Sequence, residues 1–429
     1  MKRLLIIGYV WPEPNSSAAG SRMLELIELF LAQQWQIIFA SAAILSEHRT
    51  NLIELGVEEK AISLNDSSFN EYLKYLQPDA VLFDRFFTEE QFGWRVEQEC
   101  PQALRILDTE DLHSLRHARH ALLKKSQQHL DKEVARQSVS PVLATTLELI
   151  DVMASDDMTQ REIAAIFRCD LTLMISQFEI ELLTHYFSVP KPLLHYCPFL
   201  TQKTSQSESI PDFSNRNHFI AIGNFRHEPN WDAVLYLKHA IWPLIRAQLP
   251  QAELHIYGAY PPPKVTQLHN AKEGFCIKGW AEDAHVVMQQ ARVCLAPLRF
   301  GAGIKGKLMD AMRNGTPSVT TSIGAEAMCG NLEWGGFIED SAAQFSDTAI
   351  KLYSDQAVWE KAQEQSAVIL QNYFFTLDHS YLLVERVNSL QKNLDAERKQ
   401  NFIGAMLRHH TLKSTQYMSQ WIEAKNKNL

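Results

Sequence analysis

The chain has 429 residues, too many for one ordinary core, so two domains of about 150–200 residues are expected. Hydrophobic residues make up 46% and charged residues 21%, the balance of a soluble globular protein. The net charge of −9 argues against a general nucleic-acid coat, and nucleic acid is not an expected partner, although a local basic patch is compatible with it. Taken in chain order, the first apolar run, residues 3–9, is short, lacks a small-residue cleavage site and stops at Trp11-Pro12; it reads as a buried strand rather than a signal peptide. No segment approaches the roughly 20 apolar residues that span a bilayer. Further short apolar runs at residues 36–42, 80–83, 103–107 and 171–175 predict strands. Helical patterns fit between them, as in residues 21–33, where Met23, Leu26, Ile27 and Phe30 share one face.

The rhythm breaks over residues 113–165, a polar stretch rich in Lys, Arg, His and Gln with helical periodicity, which predicts a helical insertion. It suits either a solvated hairpin or a platform for an acceptor or an anionic surface. His113, His117 and His120 have helical spacing, but no cysteine is near and basic residues crowd them, so no metal site is expected. The cysteines, at positions 100, 169, 197, 276, 294 and 329, are scattered without a C-x-x-C pair, which predicts a reducing compartment and no disulfide framework. Prolines at 190, 192 and 198 lead into a Ser-, Thr- and Gln-rich stretch over 201–212, an interdomain linker by composition. Strand–helix rhythm resumes with predicted strands at 218–223, 252–257, 274–278, 293–296 and 317–321. These signals divide the chain into 1–205, 206–375 and a helical segment 376–429, whose last fifteen residues are polar and expected to fray. The fold class is α/β, two separate doubly wound domains with a helical insertion in the first.

In such sheets ligands sit beyond the carboxyl ends of the strands. The richest of these loops follows the run ending at Pro297, with glycines at 301, 303 and 306 and cations at Lys305 and Lys307. Glycines let a ligand approach the backbone, helix N-terminal amides favour anions, and the lysines add charge, so Gly301, Ala302, Gly303, Ile304 and Lys307 form a candidate phosphate site. Asp310 follows within a turn, placed to hold a ribose diol; the competing reading is an ordinary helix cap with solvated lysines. After the strand at 218–223, Asn224 and Arg226 face the same cleft, and Arg226 either contacts phosphate or pairs with Glu228. Gly279 and Trp280 follow another strand, with Trp280 stacking on a base or packing between domains. On the first domain, Gly20 lies in a small-residue turn at a helix start, and Asp108-Thr-Glu-Asp-Leu-His113 gathers acids beside a histidine. That run serves sugar hydroxyls or proton transfer, or simply caps a helix. Asp84-Arg85 ends a strand and is placed to pair across the mouth.

At these residues the sequence resembles the retaining GT-B glycosyltransferases, the group that includes sucrose-synthase-like and mannosyl-type enzymes. The resemblance covers most of residues 1–375 and is strongest in Phe300-Gly-Ala-Gly-Ile-Lys-Gly-Lys, Asp310-Ala-Met, Gly315-Thr-Pro and Gly324-Ala-Glu326. It implies that Gly20 lies near the donor phosphates, His113 contacts the donor sugar, Lys305 and Lys307 bind phosphate, and Asp310 stands where the group has a ribose-binding glutamate. It also implies two Rossmann-like domains facing a cleft, and a C-terminal helix crossing back to the first domain. Two departures stand out. The group's acid-x7-Glu pattern would need an acid at Ala302, and its loop arginine and lysine fall near Asn224 and Pro229, leaving Arg226 to substitute. The implied activity is sugar transfer from a UDP- or GDP-sugar to a glycan, polysaccharide or lipid-linked acceptor, with retention and without metal or resident cofactor. His113, Arg226 and Lys305 are the candidate catalytic residues. A sugar-nucleotide epimerase and a non-catalytic nucleotide-sugar-binding subunit are the alternatives. Cytoplasmic placement is expected, with peripheral contact at the inner membrane face, and monomer against homodimer, left open.

Overall fold

The computed structural model describes residues 1–127, 145–200, 210–375 and 378–427. The centre of the predicted insertion, 128–144, and most of the predicted linker, 201–209, lie outside them. The first sheet comprises β1 (Arg3–Gly8), β2 (Gln36–Ser41), β3 (Glu58–Ala61), β4 (Ala80–Asp84), β5 (Leu104–Asp108), β6 (Leu171–Met174) and β7 (Leu194–Tyr196), in the order β3-β2-β1-β4-β5-β6-β7. The second comprises β8 (Asn217–Ile222), β9 (Leu254–Tyr257), β10 (Phe275–Gly279), β11 (Ala291–Ala296), β12 (Ser318–Thr320) and β13 (Gly336–Ile338), ordered β10-β9-β8-β11-β12-β13. All these pairings are parallel, so both domains are Rossmann-like and doubly wound.

Helices on both faces explain the strand sequences. Leu4, Leu5, Ile6 and Ile7 of β1 are all fully buried, two toward each layer, which is why that strand reads as a continuous apolar run rather than an alternation. In the first sheet the strand order reverses between β1 and β4, and in the second between β8 and β11. A crevice opens at such a switch point, and the two crevices face each other.

Helix Ala18–Ala32 buries Met23, Leu26, Ile27 and Phe30, the predicted face, and begins three residues earlier than its periodicity suggests because Ser17 caps it. The insertion is helical where described, as His113–Gln127, Thr146–Ala154 and Asp157–Arg168. Three strands escape a periodicity reading, β3, β7 and β13; they are short edge or near-edge strands such as Glu58-Glu-Lys-Ala61, with no apolar run. Helix His379–Gln400 lies on the first domain, where Leu383, Val387, Leu390 and Leu394 join the core around Leu4 and Ile6. Among the described residues the expected fraying is not seen: Lys413–Lys427 is helical, held by Arg95 to Ser419 at 3.1 Å and Ser67 to Glu423 at 2.6 Å. Composition alone misses this, because those contacts are made by polar side chains.

Candidate active site

Between the two switch points lies a cavity of about 160 Å³. Its first-domain wall is the loop after β1 with the start of the next helix (Trp11, Glu13, Gly20), together with Asp84, Arg85 and Glu110 from the ends of β4 and β5. Its second-domain wall is Asn224 and Arg226 after β8 and Tyr260 after β9. Of the residues expected from sequence, Gly20, Asn224 and Arg226 therefore meet across one space.

Gly20 has a packing reason to be glycine as well: a Cβ there would lie 2.4 Å from the Glu13 carbonyl, so the loop after β1 could not lie against the helix start. Arg226 does not pair with Glu228. Its guanidinium stacks on the Tyr260 ring at 3.9 Å, while its backbone N–H donates to the Asn224 side chain at 2.9 Å. Glu228 instead faces His120 at 3.3 Å across the domains. Tyr260 donates to Glu13 at 2.8 Å, bridging the walls. The Trp280 ring stacks on His48 of the first domain at 4.1 Å and 11°, and Gly279, at φ +80°, accepts from the Gly258 N–H.

The glycine loop is placed differently from an open cradle. Gly301, Ala302, Gly303, Ile304 and Lys305 are buried, because the first domain lies on them. Ile304 clusters with Ile175 and Phe199, and a Cβ on Gly303 (φ +63°) would meet Asp111 at 2.9 Å. The Lys305 ammonium folds onto its own loop, donating to the carbonyls of Gly303 at 2.6 Å and Ala302 at 3.1 Å. Lys307 reaches the end of β8, bonding Asn230 at 2.6 Å beside Gly223. Burial pulls both lysines down to about 8, with Glu326 opposing the fall at Lys305 and Cys294 at Lys307. Helix Gly306–Arg313 starts at the expected point, and Asp310 on it lies 3.9 Å from Arg313, its carboxyl raised by burial against that arginine's pull.

His113 opens helix His113–Gln127, edge-on to Phe86 and Phe87, with Nε2 3.5 Å from Asp111. Burial drives it down to about 3 despite that carboxylate, so the ring is neutral near pH 7 and suited to hydrogen bonding rather than acid catalysis. His117 and His120 face different carboxylates, His117 toward Asp156 at 2.9 Å and His120 toward Glu228. Among the described residues one group with metal-ligand chemistry lies together, Glu253, His255 and Cys276, at the amino ends of β9 and β10 and away from the cavity.

Two acids matter that sequence did not single out by role. Glu110, at φ +62°, lines the cavity; burial, then Asp108, raises its carboxyl well above the usual range, and Oε1 has no partner. Its signal was the acidic run after β5. Glu179 gave no signal, since its partners come from distant loops: its Oε1 accepts from Gly303 N–H at 2.7 Å and Leu112 N–H at 3.2 Å, clasping the glycine loop to the first domain. Burial, then Asp111, pushes it up to about 8. A neutral carboxyl accepting through one oxygen is mimicked by an amide. Glu179→Gln is therefore expected to melt near wild type at pH 7, whereas Glu179→Ala strands two buried N–H groups at a cost of about 1–3 kcal/mol. Equal losses in both melts would refute the clasp.

Residues 216–355 match the family model described as Glycosyl transferases group 1. No curated protein matches in sequence. Among solved structures, the chain is similar to sucrose-phosphate synthase of Thermosynechococcus elongatus (13% identity, TM-score 0.58, covering 91% of this chain and 99% of that one). It is similar to S. aureus TarM, solved with fondaparinux, alpha-GlcNAc-glycerol and UDP (8%, TM-score 0.65, 91% and 100%). It is also similar to Anabaena HepE, solved with UDP-glucose (10%, TM-score 0.60, 92% and 100%). At those identities the likeness speaks for the fold, two Rossmann-like domains across a cleft. The family match lies over β8–β13, so the second domain resembles a group 1 glycosyltransferase domain, set in a chain with the GT-B fold.

Proposed function

We propose that the chain transfers a sugar from a nucleoside-diphosphate sugar to a glycan or lipid-linked acceptor, with retention and without a metal. The observation that carries this is the cavity itself, where the carboxyl-end loops of both sheets converge with Arg226 on one wall and Glu110 on the other. The leaving diphosphate would be neutralised by Arg226, Lys305 and Lys307, assisted by the amides opening helix Gly306–Arg313. Asp310 would hold the ribose, and neutral His113 would hydrogen-bond the donor sugar. Glu110, with its unpartnered oxygen, would orient the acceptor hydroxyl. UDP and UDP-glucose occupy solved neighbours, so a uridine donor is tested before a guanosine one.

The test is thermal stabilisation by UDP, GDP, ADP and their sugar conjugates, with and without Mg²⁺. A ligand at 100 times its Kd adds about 2.7 kcal/mol, a shift of several degrees. One responding nucleotide family, with product formed from its sugar conjugate, supports the reading; no response to any of them sinks it. The pH profile gives a second check. A lysine lowered to about 8 loses its charge as pH rises through that value, where an ordinary lysine would keep it to near 10.5. Affinity for the diphosphate is expected to fall about tenfold per lysine between pH 7 and 9. Unchanged affinity over that range would exclude Lys305 and Lys307 as phosphate ligands.

A further inference from the structure

Helices Phe402–Leu407 and Lys413–Lys427, joined by the π-type turn Arg408–Leu412, run along the first domain's helices Phe86–Glu99 and Asp157–Arg168. Polar contacts fix which side faces inward. Gly404 lies so close to Phe167 that a Cβ would come within 2.1 Å of its carbonyl, and Asn401 donates to that carbonyl at 2.7 Å. Arg408 donates to the Arg168 carbonyl at 3.3 Å, and Ser419 and Glu423 hold the last helix to Arg95 and Ser67. The side turned outward carries Phe402 (70% exposed), Ile403, Met406, Tyr417 (64%), Met418 and Trp421 (60%). An apolar face this rich in aromatics is unusual on a surface whose inner side is so firmly docked.

Charge identifies what covers it. The exposed cations of residues 398–427 are Lys399, Lys413, Lys425 and Lys427, the last paired with Glu423, in a chain whose net charge is −9; Arg398 and Arg408 turn inward to Asp170 and Glu97. Lys413 and Lys425 are exposed within the apolar face, with the Lys425 ammonium 5.4 Å from the Trp421 ring, and His409 and His410 are exposed beside them. Pairing two copies through this face would oppose like charges, which disfavours a homodimer there. Tyr and Trp with interspersed lysines is the composition of a helix lying in the headgroup layer of an anionic bilayer. Among the described residues no helix is long and apolar enough to cross a membrane, so contact of this kind is peripheral.

We propose that the outer face of residues 402–425 docks the protein on anionic lipid; it deepens the function above by making the acceptor a membrane-resident one, and rests on that reading only for this purpose. The experiment is flotation of the full chain with vesicles of phosphatidylcholine alone and with phosphatidylglycerol added. Binding is expected only with phosphatidylglycerol and is expected to fall with salt. Tyr417→Ser with Trp421→Ser, and separately Lys413→Glu with Lys425→Glu, should each lower binding about tenfold or more. Both double variants should keep the wild-type melting temperature and its nucleotide-dependent shift, which separates failure of docking from failure of the donor site. Wild-type protein that ignores phosphatidylglycerol vesicles, or variants that bind like wild type, would overturn the proposal. So would a wild-type dimer that the Trp421 variant renders monomeric, since a second copy would then own the face.

Discussion

Replacement of Lys305 by alanine is expected to lower turnover about 10²–10³-fold, the scale set by losing one preorganised charge-stabilising donor. Two effects combine in that loss. The ammonium braces the glycine loop through the Ala302 and Gly303 carbonyls, and it is the buried cation next to the inter-domain clasp. Lys305→Gln separates them, because its amide keeps a donor for the loop carbonyls while removing the charge. If the cation acts on the leaving diphosphate, Gln and Ala should be equally slow. If bracing dominates, Gln should recover part of the rate. Wild-type-like turnover in the alanine variant would remove Lys305 from the mechanism altogether.

The largest stability effect is expected at Arg22. Its side chain and that of Asp108 are fully buried, joined at 3.0 Å, and another Arg22 nitrogen donates to the Pro198 carbonyl at 3.1 Å. Burial works against the charge on Arg22, but Asp108 and its neighbours outweigh it and hold the guanidinium protonated. Arg22→Met leaves a buried carboxylate without its cation, at a cost of about 3–5 kcal/mol. In a domain of this size that lowers Tm by roughly 6–20 °C. Asp108→Leu combined with Arg22→Met removes both charges and should recover much of the loss, since a buried ion pair is often replaceable by apolar side chains as a pair but not singly. A double variant no better than the single would show that the carbonyl contacts near Pro198, rather than the ion pair, hold this corner.

Much of the fold was legible because the strands that matter are buried on both faces. Continuous runs such as Leu4-Leu-Ile-Ile7 have few alternatives, whereas Glu58-Glu-Lys-Ala61 pairs at a sheet edge and carries no apolar signature. The site was legible in outline for a related reason: Gly20 opens the helix after β1, Asn224 and Arg226 sit on the loop after β8, and doubly wound sheets put ligands there. Their surroundings were not. Glu179 reaches Gly303 over a long sequence separation, His48 finds Trp280, and Arg226 chooses Tyr260 over nearby Glu228. Each is a choice among partners made by tertiary packing, and one-dimensional spacing has no access to it. The same holds for Lys305, which sequence offers as a free cation and the fold turns back onto its own carbonyls.

The path of helix His379–Gln400 has a mechanical consequence. Because Leu383, Val387, Leu390 and Leu394 belong to the first domain's core, both ends of the chain do too, and the second domain is in effect inserted into the first. The polypeptide crosses between the two sheets twice, once after β7 and once before His379. A body tethered at one point swivels freely; one tethered at two points rotates mainly about the line joining them. The cleft is thereby expected to open as a door does, along a single arc, so that the Glu179–Gly303 clasp and the Arg119–Glu326 pair across the same gap part and re-form together rather than one at a time.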